Sequence, residues 1–320
     1  MACSCRNKLN LGRQKLTQLQ YKGTGSAIGR TGSRYWRSKS AYLGALPFLL
    51  FTGVFLLYPT WNVMSGAFKD NYGVTSTAEL KAVFNSPIAR GAFGNSLEIS
   101  IKTAIIGAIL GGLFAWAIAS GKQGGLFYKI SVALSSVLAQ FGGVMLVFAF
   151  LATFGFNGLV LTFATKFLPT TFLADASWLY SMNGLAVLYT FFQIPLMVLV
   201  FLPTIENLQP QWREASDALG GKFYEYWIRV GIPILTPSFA GAALLLFVNS
   251  FSAYATASIL INLADFLTPL QIATALTSET GGSNPAEAKV LSFFMVIVVI
   301  IAMTLYALLR RNVSKWEQRR

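Results

Sequence analysis

The chain has 320 residues, 54% of them apolar and only 12% charged, with a formal net charge of +13. Soluble domains carry about a quarter charged residues, so this composition specifies a polytopic membrane protein and argues against an ordinary globular one. Histidine is absent, which removes the commonest general base, the commonest metal ligand and every histidine-containing nucleophilic triad.

Residues 1–40 form a basic tail rich in Gly, Ser and Gln, expected to be disordered. Arg6, Lys8, Arg13, Lys15, Lys22, Arg30, Arg34, Arg37 and Lys39 occur there without a single acid. In a soluble protein that charge would suggest nucleic acid; before a membrane span it reads as a topology signal that keeps the tail in the cytoplasm, and no nucleic-acid partner is expected. Cys3 and Cys5 have no further Cys or His with which to close a metal site. They are read as incidental, with lipidation as the alternative. The first apolar run lacks a cleavage site and reads as an uncleaved signal anchor.

A spanning helix needs about 20 mostly apolar residues. Six stretches qualify: Ala41 to Ala67, Asn95 to Ala119, Ser131 to Phe154, Met182 to Pro203, Pro233 to Ile261 and Ala288 to Leu309. The fold class expected is therefore all-α, a six-helix transmembrane domain over 41–310 with a basic C-terminal tail at 311–320. An even number of spans puts both basic ends on the cytoplasmic side, beside membrane lipid. It also puts Gly121 to Ile130, with Lys122 and Lys129, and the loop 206–233 inside. Phe68 to Gly94, Gly155 to Ser181 and Asn262 to Glu287 are outside, and the last of these loops contains no Lys or Arg. The second outer loop, with Phe163, Phe167, Phe172 and Trp178, is expected to form a short interfacial helix packed on the bundle or a re-entrant element.

Within the spans, Gly107 and Gly111 share a helix face and permit close helix packing in lipid. Glu98 and Lys102 also share a face and read as a structural pair. Pro47, Pro59, Pro195 and Pro203 are placed to kink or end helices. Gln193 in the fourth span and Asn249, Ser250, Ser252, Tyr254 and Thr256 in the fifth are candidate lining of a solute pathway; interhelical hydrogen bonding is the competing reading.

No catalytic residue, cofactor or metal site is identified. The phosphate-binding loop is absent: Gly220-Gly221-Lys222 approaches it, but Phe223 replaces the magnesium-binding hydroxyl and Ser216 the first glycine. Nor do the spans hold repeated buried carboxylates suited to proton coupling. Energy must then come from a partner, or transport is passive.

The stretch from Leu208 to Pro237 is a polar, helical island between two spans. Pro210 can open a helix. Leu208, Trp212, Ala215 and Leu219 recur at helical spacing, and Gly220-Gly221 can stop it. A second short helix is expected from Phe223 to Val230, with Pro233 setting the turn into the fifth span. The shape suits docking in a cleft of another protein; a helix lying flat on the lipid through Trp212 and Trp227 is the alternative.

Glu214-Ala215-Ser216, Gly220 six residues after the glutamate, and Ile232-Pro233 resemble the EAA loop of permease subunits of binding-protein-dependent ABC importers. The family pattern is Glu-Ala-Ala, three residues, Gly, nine residues, Ile-x-Leu-Pro. Ser216, Val230 and Ile232 depart mildly from it and keep the register. Asn95-Ser96-Leu97 also resembles this family, and Val248 to Ala257 and the first span look most like its spermidine/putrescine-type branch. The resemblance covers Ala41 to Arg310. It implies a type I (MetI-like) permease fold in the cytoplasmic (inner) membrane of a prokaryote. It implies pairing with a second permease subunit, docking of a cytoplasmic ATPase subunit on the loop, and delivery of solute by an extracytoplasmic binding protein. Glu214, Ala215, Ser216, Asp217, Leu219, Gly220 and Pro233 would then form the ATPase-coupling site. The substrate it suggests first is a polyamine, with sugar, thiamine, iron and aminoalkylphosphonate as alternatives. The competing classes are a stand-alone secondary carrier or channel and, weakest, a membrane-embedded enzyme.

Overall fold

The structure, a computed structural model, describes residues 39–69, 74–121, 124–156, 158–160, 162, 176–261, 266–277 and 284–317. The basic tail with Cys3 and Cys5, and Phe163, Phe167, Phe172 and Lys122, lie outside the described residues. Among the described residues the chain is helical apart from loops and one antiparallel bridge between Lys69 and Thr75. Five helices are long and apolar enough to cross a membrane, six if one bent pair counts as a single span.

The chain divides into two units, residues 1–60 and 61–320. The first contains α1 (Lys39–Thr52), a π-turn (Gly53–Leu57) and the start of α2 (Tyr58–Gly66). The π-turn has a local cause. Pro59 would press its ring on the carbonyl four residues back, at Phe55, and cannot donate to it. The turn widens instead, and the Tyr58 N–H bonds five residues back to Gly53 C=O.

The second unit continues through α3 (Ala78–Asn85), α4 (Pro87–Ser120), α5 (Leu126–Gln140), α6 (Val144–Phe154), a 3₁₀ turn (Ala176–Tyr180) and α7 (Met182–Glu206). Then come α8 (Pro210–Ala218), α9 (Phe223–Tyr226), a second π-turn (Trp227–Gly231), α10 (Ile232–Phe251), α11 (Ala255–Leu260), α12 (Thr268–Thr277) and α13 (Pro285–Glu317). α4 is the hub, packed along its length against α7 and α10. At 34 residues it is about 50 Å long, well beyond the roughly 30 Å hydrocarbon layer. It therefore starts at Pro87 rather than Asn95, N-capped by Ser86, whose hydroxyl accepts the Ala89 N–H. α13 likewise begins at Pro285 and runs on through the expected C-terminal tail to Glu317.

Two expectations about the spans change. The third span is not straight: α5 and α6 meet at 103°. Gly142 and Gly143 break the ladder, and Gly143 adopts φ +65°, a backbone open chiefly to glycine. The fifth span is broken at Ser252–Tyr254, between α10 and α11. Tyr189 Oη donates to the freed Ala253 C=O at 2.7 Å, so the break leaves that half-buried acceptor satisfied. The third outer loop contains α12. The part of the second outer loop that is described packs on the bundle, with Leu179 fully buried and Trp178 edge-on to Phe154.

α4 shows how the bundle is held. Its buried stripe is mostly small residues: Ala92, Ser96, Ser100, Ala104, Ala108 and Ala115, with Gly107, Gly111 and Gly112 among them and Ile99 and Ile118 as the large exceptions. Other large side chains, Ile101, Ile105, Ile109 and Leu113, are exposed. Water would favour the reverse; lipid rewards close backbone packing and large apolar groups outside. A Cβ on Gly111 would stand 2.6 Å from Met197 Cβ and 2.7 Å from Ile194 C=O. The two glycines therefore serve helix contact, as their spacing predicts.

Candidate functional site

Two regions collect the candidate residues: a polar layer across the bundle and the loop between α7 and α10. The polar layer fixes the helices that the loop joins.

Gln193 is fully buried, and its Nε2 donates to Thr103 Oγ1 at 3.2 Å. Thr103 gives its one proton to Ile99 C=O at 2.8 Å, so the 3.0 Å contact with Ser250 Oγ has Ser250 as donor. α4, α7 and α10 are thus joined at one level. This layer separates two apolar clusters, one around Ile99, Leu188 and Phe192, the other around Ala104, Met197 and Leu246. Gln193 Oε1 has no hydrogen-bond partner. It lies where a Cβ on Gly107 would be, 2.7 Å from that position, so only glycine admits it.

The proposed pathway set therefore divides. Gln193 and Ser250 face protein in the polar layer, and Thr256 is buried in α11. Asn249, Ser252 and Tyr254 are exposed around the α10–α11 break. Ser252 Oγ is bonded to Val248 C=O at 2.9 Å. Glu98 and Lys102 form an ion pair on the exposed face of α4, with side chains 58% and 65% exposed. Two further side chains carry a contact that the sequence left without a role. Asn95 Nδ2 donates to Phe266 C=O at 3.1 Å, and Ser96 Oγ accepts the Thr268 N–H at 2.9 Å. Together they clasp the start of α12 against α4. Only the Asn-Ser pair itself could have signalled this, since the partners lie over 170 residues away.

The loop holds α8, which has Gln209 as N-cap, Pro210 in its first turn and no buried residue. Its predicted apolar stripe is graded. Leu208 packs on the core cluster, Trp212 is half-buried, Ala215 is exposed, and Leu219 is 89% exposed. Glu214 and Asp217 are exposed and Ser216 is half-buried. α8 ends in a Schellman arrangement: Gly221 N–H donates to Ser216 C=O at 2.9 Å and Gly220 N–H to Asp217 C=O at 3.0 Å. Gly220 has φ +78°, which explains the glycine. Beyond it, Glu225 accepts the Lys222 N–H at 3.1 Å and starts α9.

Here one expectation fails. No separate second helix ends before Pro233. α9, the π-turn and α10 run on continuously from Phe223 to Phe251. Pro233 lies inside this run, and the π-turn absorbs it as at Pro59: the Ile232 N–H bonds five residues back to Trp227 C=O. Pro233 thus sets a widened turn, not a corner.

No family model matches the chain. Over 243 residues it is 25% identical to the putative ferric transport system permease protein FbpB 1 of Haemophilus influenzae, covering 75% of this chain and 34% of that protein. It is also 25% identical to the sulfate transport system permease protein CysT of Escherichia coli, over 64% of this chain and 69% of that one. The chain thus spans about a third of the length of the ferric transport permeases it matches. In three dimensions it resembles a bacterial ABC transporter involved in import of the acidic polysaccharide alginate, with TM-score 0.63 and 17% identity over 86% of this chain and 95% of that one. It also resembles the inward-facing MetNI methionine ABC transporter, with TM-score 0.53 and 15% identity over 71% of this chain and 95% of that one. This is the fold of an ABC importer permease. Within that permease fold the polar layer ties α4, α7 and α10 together, and α8 is the exposed element that joins α7 to α10. The chain's sequence relatives are named as permeases.

Proposed function

We propose that the chain is the membrane-spanning subunit of an ATP-driven importer and that α8 is the element through which a cytoplasmic ATPase subunit moves it. The observation that carries this reading is α8 itself. It is a capped helix with no buried residue, held between two spans, ended by a glycine at φ +78° and presenting an 89% exposed leucine. An ordered helix with no fully buried residue gains stability from what it meets. Glu214, Ala215, Ser216, Asp217, Leu219 and Gly220 form that contact, and Pro233 sets the π-turn behind it. Both chain ends lie in the cytoplasm of a prokaryote and the bundle in its inner membrane. A second permease subunit completes the pathway, and an extracytoplasmic binding protein supplies the solute. Asn249, Ser252 and Tyr254, exposed beside the helix break, line the path.

For the solute, the names of the relatives favour a small inorganic ion, ferric ion or sulfate, over the polyamine suggested by sequence resemblance. The test is uptake by cells. Glu214→Lys and Gly220→Arg should leave membrane insertion intact and abolish uptake. Normal transport by both, with Trp212 and Trp227 variants lost from the membrane, would instead establish α8 as a lipid-surface helix.

A further inference from the structure

α8 buries no residue, so the contacts that leave it decide how its movement reaches the bundle. One route is continuous and specific. Arg213, on α8, places its guanidinium carbon 5.3 Å from the centre of the Phe223 ring, across the Gly220-Gly221 break. Phe223 meets Trp227 edge to face at 6.2 Å between ring centres. Trp227 in turn meets Trp116 of α4 edge to face, also at 6.2 Å. These are the distances at which cation–π and aromatic pairs attract. We infer that Arg213, Phe223, Trp227 and Trp116 form a mechanical train that transmits displacement of α8 to α4.

Three features of the site support a transmitting role for the rings. The train ends on α4, the helix that the polar layer joins to α7 and α10. Trp227 opens the π-turn, and a Cβ on Gly231 would stand 2.7 Å from Trp227 Cε3. The ring therefore lies over the Gly231 backbone of its own helix, in space that a side chain at 231 would need. The indole Nε1 is buried without a hydrogen-bond partner, so Trp227 acts by its faces and edges. An unbonded buried donor is costly, so what the residue contributes here is the packing of its ring. Arg213 and Phe223 are, by contrast, exposed and add little to the core. They are positioning residues that act through Trp227.

This inference rests on the proposed coupling function, and the experiment separates the two. Gly94 on α4 is exposed, with no atom within 4 Å of an added Cβ, so Gly94→Cys is a suitable reporter once Cys3 and Cys5 are changed to serine. The full chain is purified with its ATPase and partner subunits and reconstituted in liposomes. Labelling of the reporter by a water-soluble maleimide is followed with and without ATP plus vanadate. With the train intact, ATP trapping should change the labelling rate. Arg213→Gln, Phe223→Leu and Trp227→Leu should reduce that change about tenfold, within the range reached by substitutions in coupling networks, while ATPase capture persists. Phe223→Tyr and Trp227→Phe keep a ring and should restore it. Arg213→Gln with Phe223→Leu should do no more than either alone. An undiminished ATP response in the leucine variants overturns the train. Loss of ATPase capture in them also overturns it, because the residues would then serve docking. If the unsubstituted chain captures no ATPase, the coupling function itself falls.

Discussion

Gly107 and Gln193 show how a single contact can govern a span. The carboxamide of Gln193 occupies the space that a side chain at position 107 would need, with its Cβ 2.8 Å from the Cβ position. Gly107→Ala should therefore lower stability by about 1–3 kcal/mol, the usual range for overpacking, read as thermal unfolding in detergent. Gln193→Leu should cost no more than about 1–2 kcal/mol, because interhelical hydrogen bonds in membranes are individually modest and Thr103 keeps Ser250. Gly220 is constrained differently. An added Cβ there would meet no atom, yet φ +78° disfavours L-residues by about 1–2 kcal/mol. Gly220→Ala should weaken ATPase capture roughly five- to thirtyfold at that energy, and Gly220→Asn less, since asparagine tolerates that backbone. The glycines at 107, 111 and 220 were all legible as a helix contact or a helix stop. What each one touches was not, because the partners lie on other helices or nowhere at all.

Secondary-structure elements depart from the sequence where proline or glycine interrupts them. The π-turns at Gly53–Leu57 and Trp227–Gly231 each end two residues before a proline, and both bond five residues back at the residue preceding it. Pro233→Ala restores a donor at position 233 and removes the ring clash, so the run from Phe223 can relax to a regular helix. Removing one residue's worth of widening rotates everything before it by about 100° relative to α10. Uptake should then fall steeply with insertion and thermal stability near normal, measured on the same preparation. The same physics explains the fifth span. Hydropathy reads Pro233 to Ile261 as one run, since Ser252 and Ala253 do not make it polar enough to register a break. The break exists because Tyr189, from α7, supplies the hydrogen bond that an open turn requires. The 103° corner between α5 and α6 was similarly hidden: Gly142-Gly143 is visible, but not the direction taken after it.

At the scale of the molecule, α4 is both the structural axis and the end of the route from α8. Transport should be absent when the purified chain alone is placed in liposomes and appear when ATPase and binding protein are added; uptake by the chain alone would favour a secondary carrier. The composition, the basic ends and the spacing of apolar runs determined a helical membrane bundle with one exposed polar loop. The Gly220-Gly221 pair determined where the helix in that loop stops. These properties depend on local chemistry: hydrophobic length, topology charges and the backbone freedom of glycine. Tertiary structure alone decided that Thr103, Gln193 and Ser250 meet, that Asn95 and Ser96 clasp α12, and that Trp227 stands between Phe223 and Trp116. Those depend on which helix faces which, and in lipid that choice is made by close packing of small residues, which a hydropathy pattern does not encode.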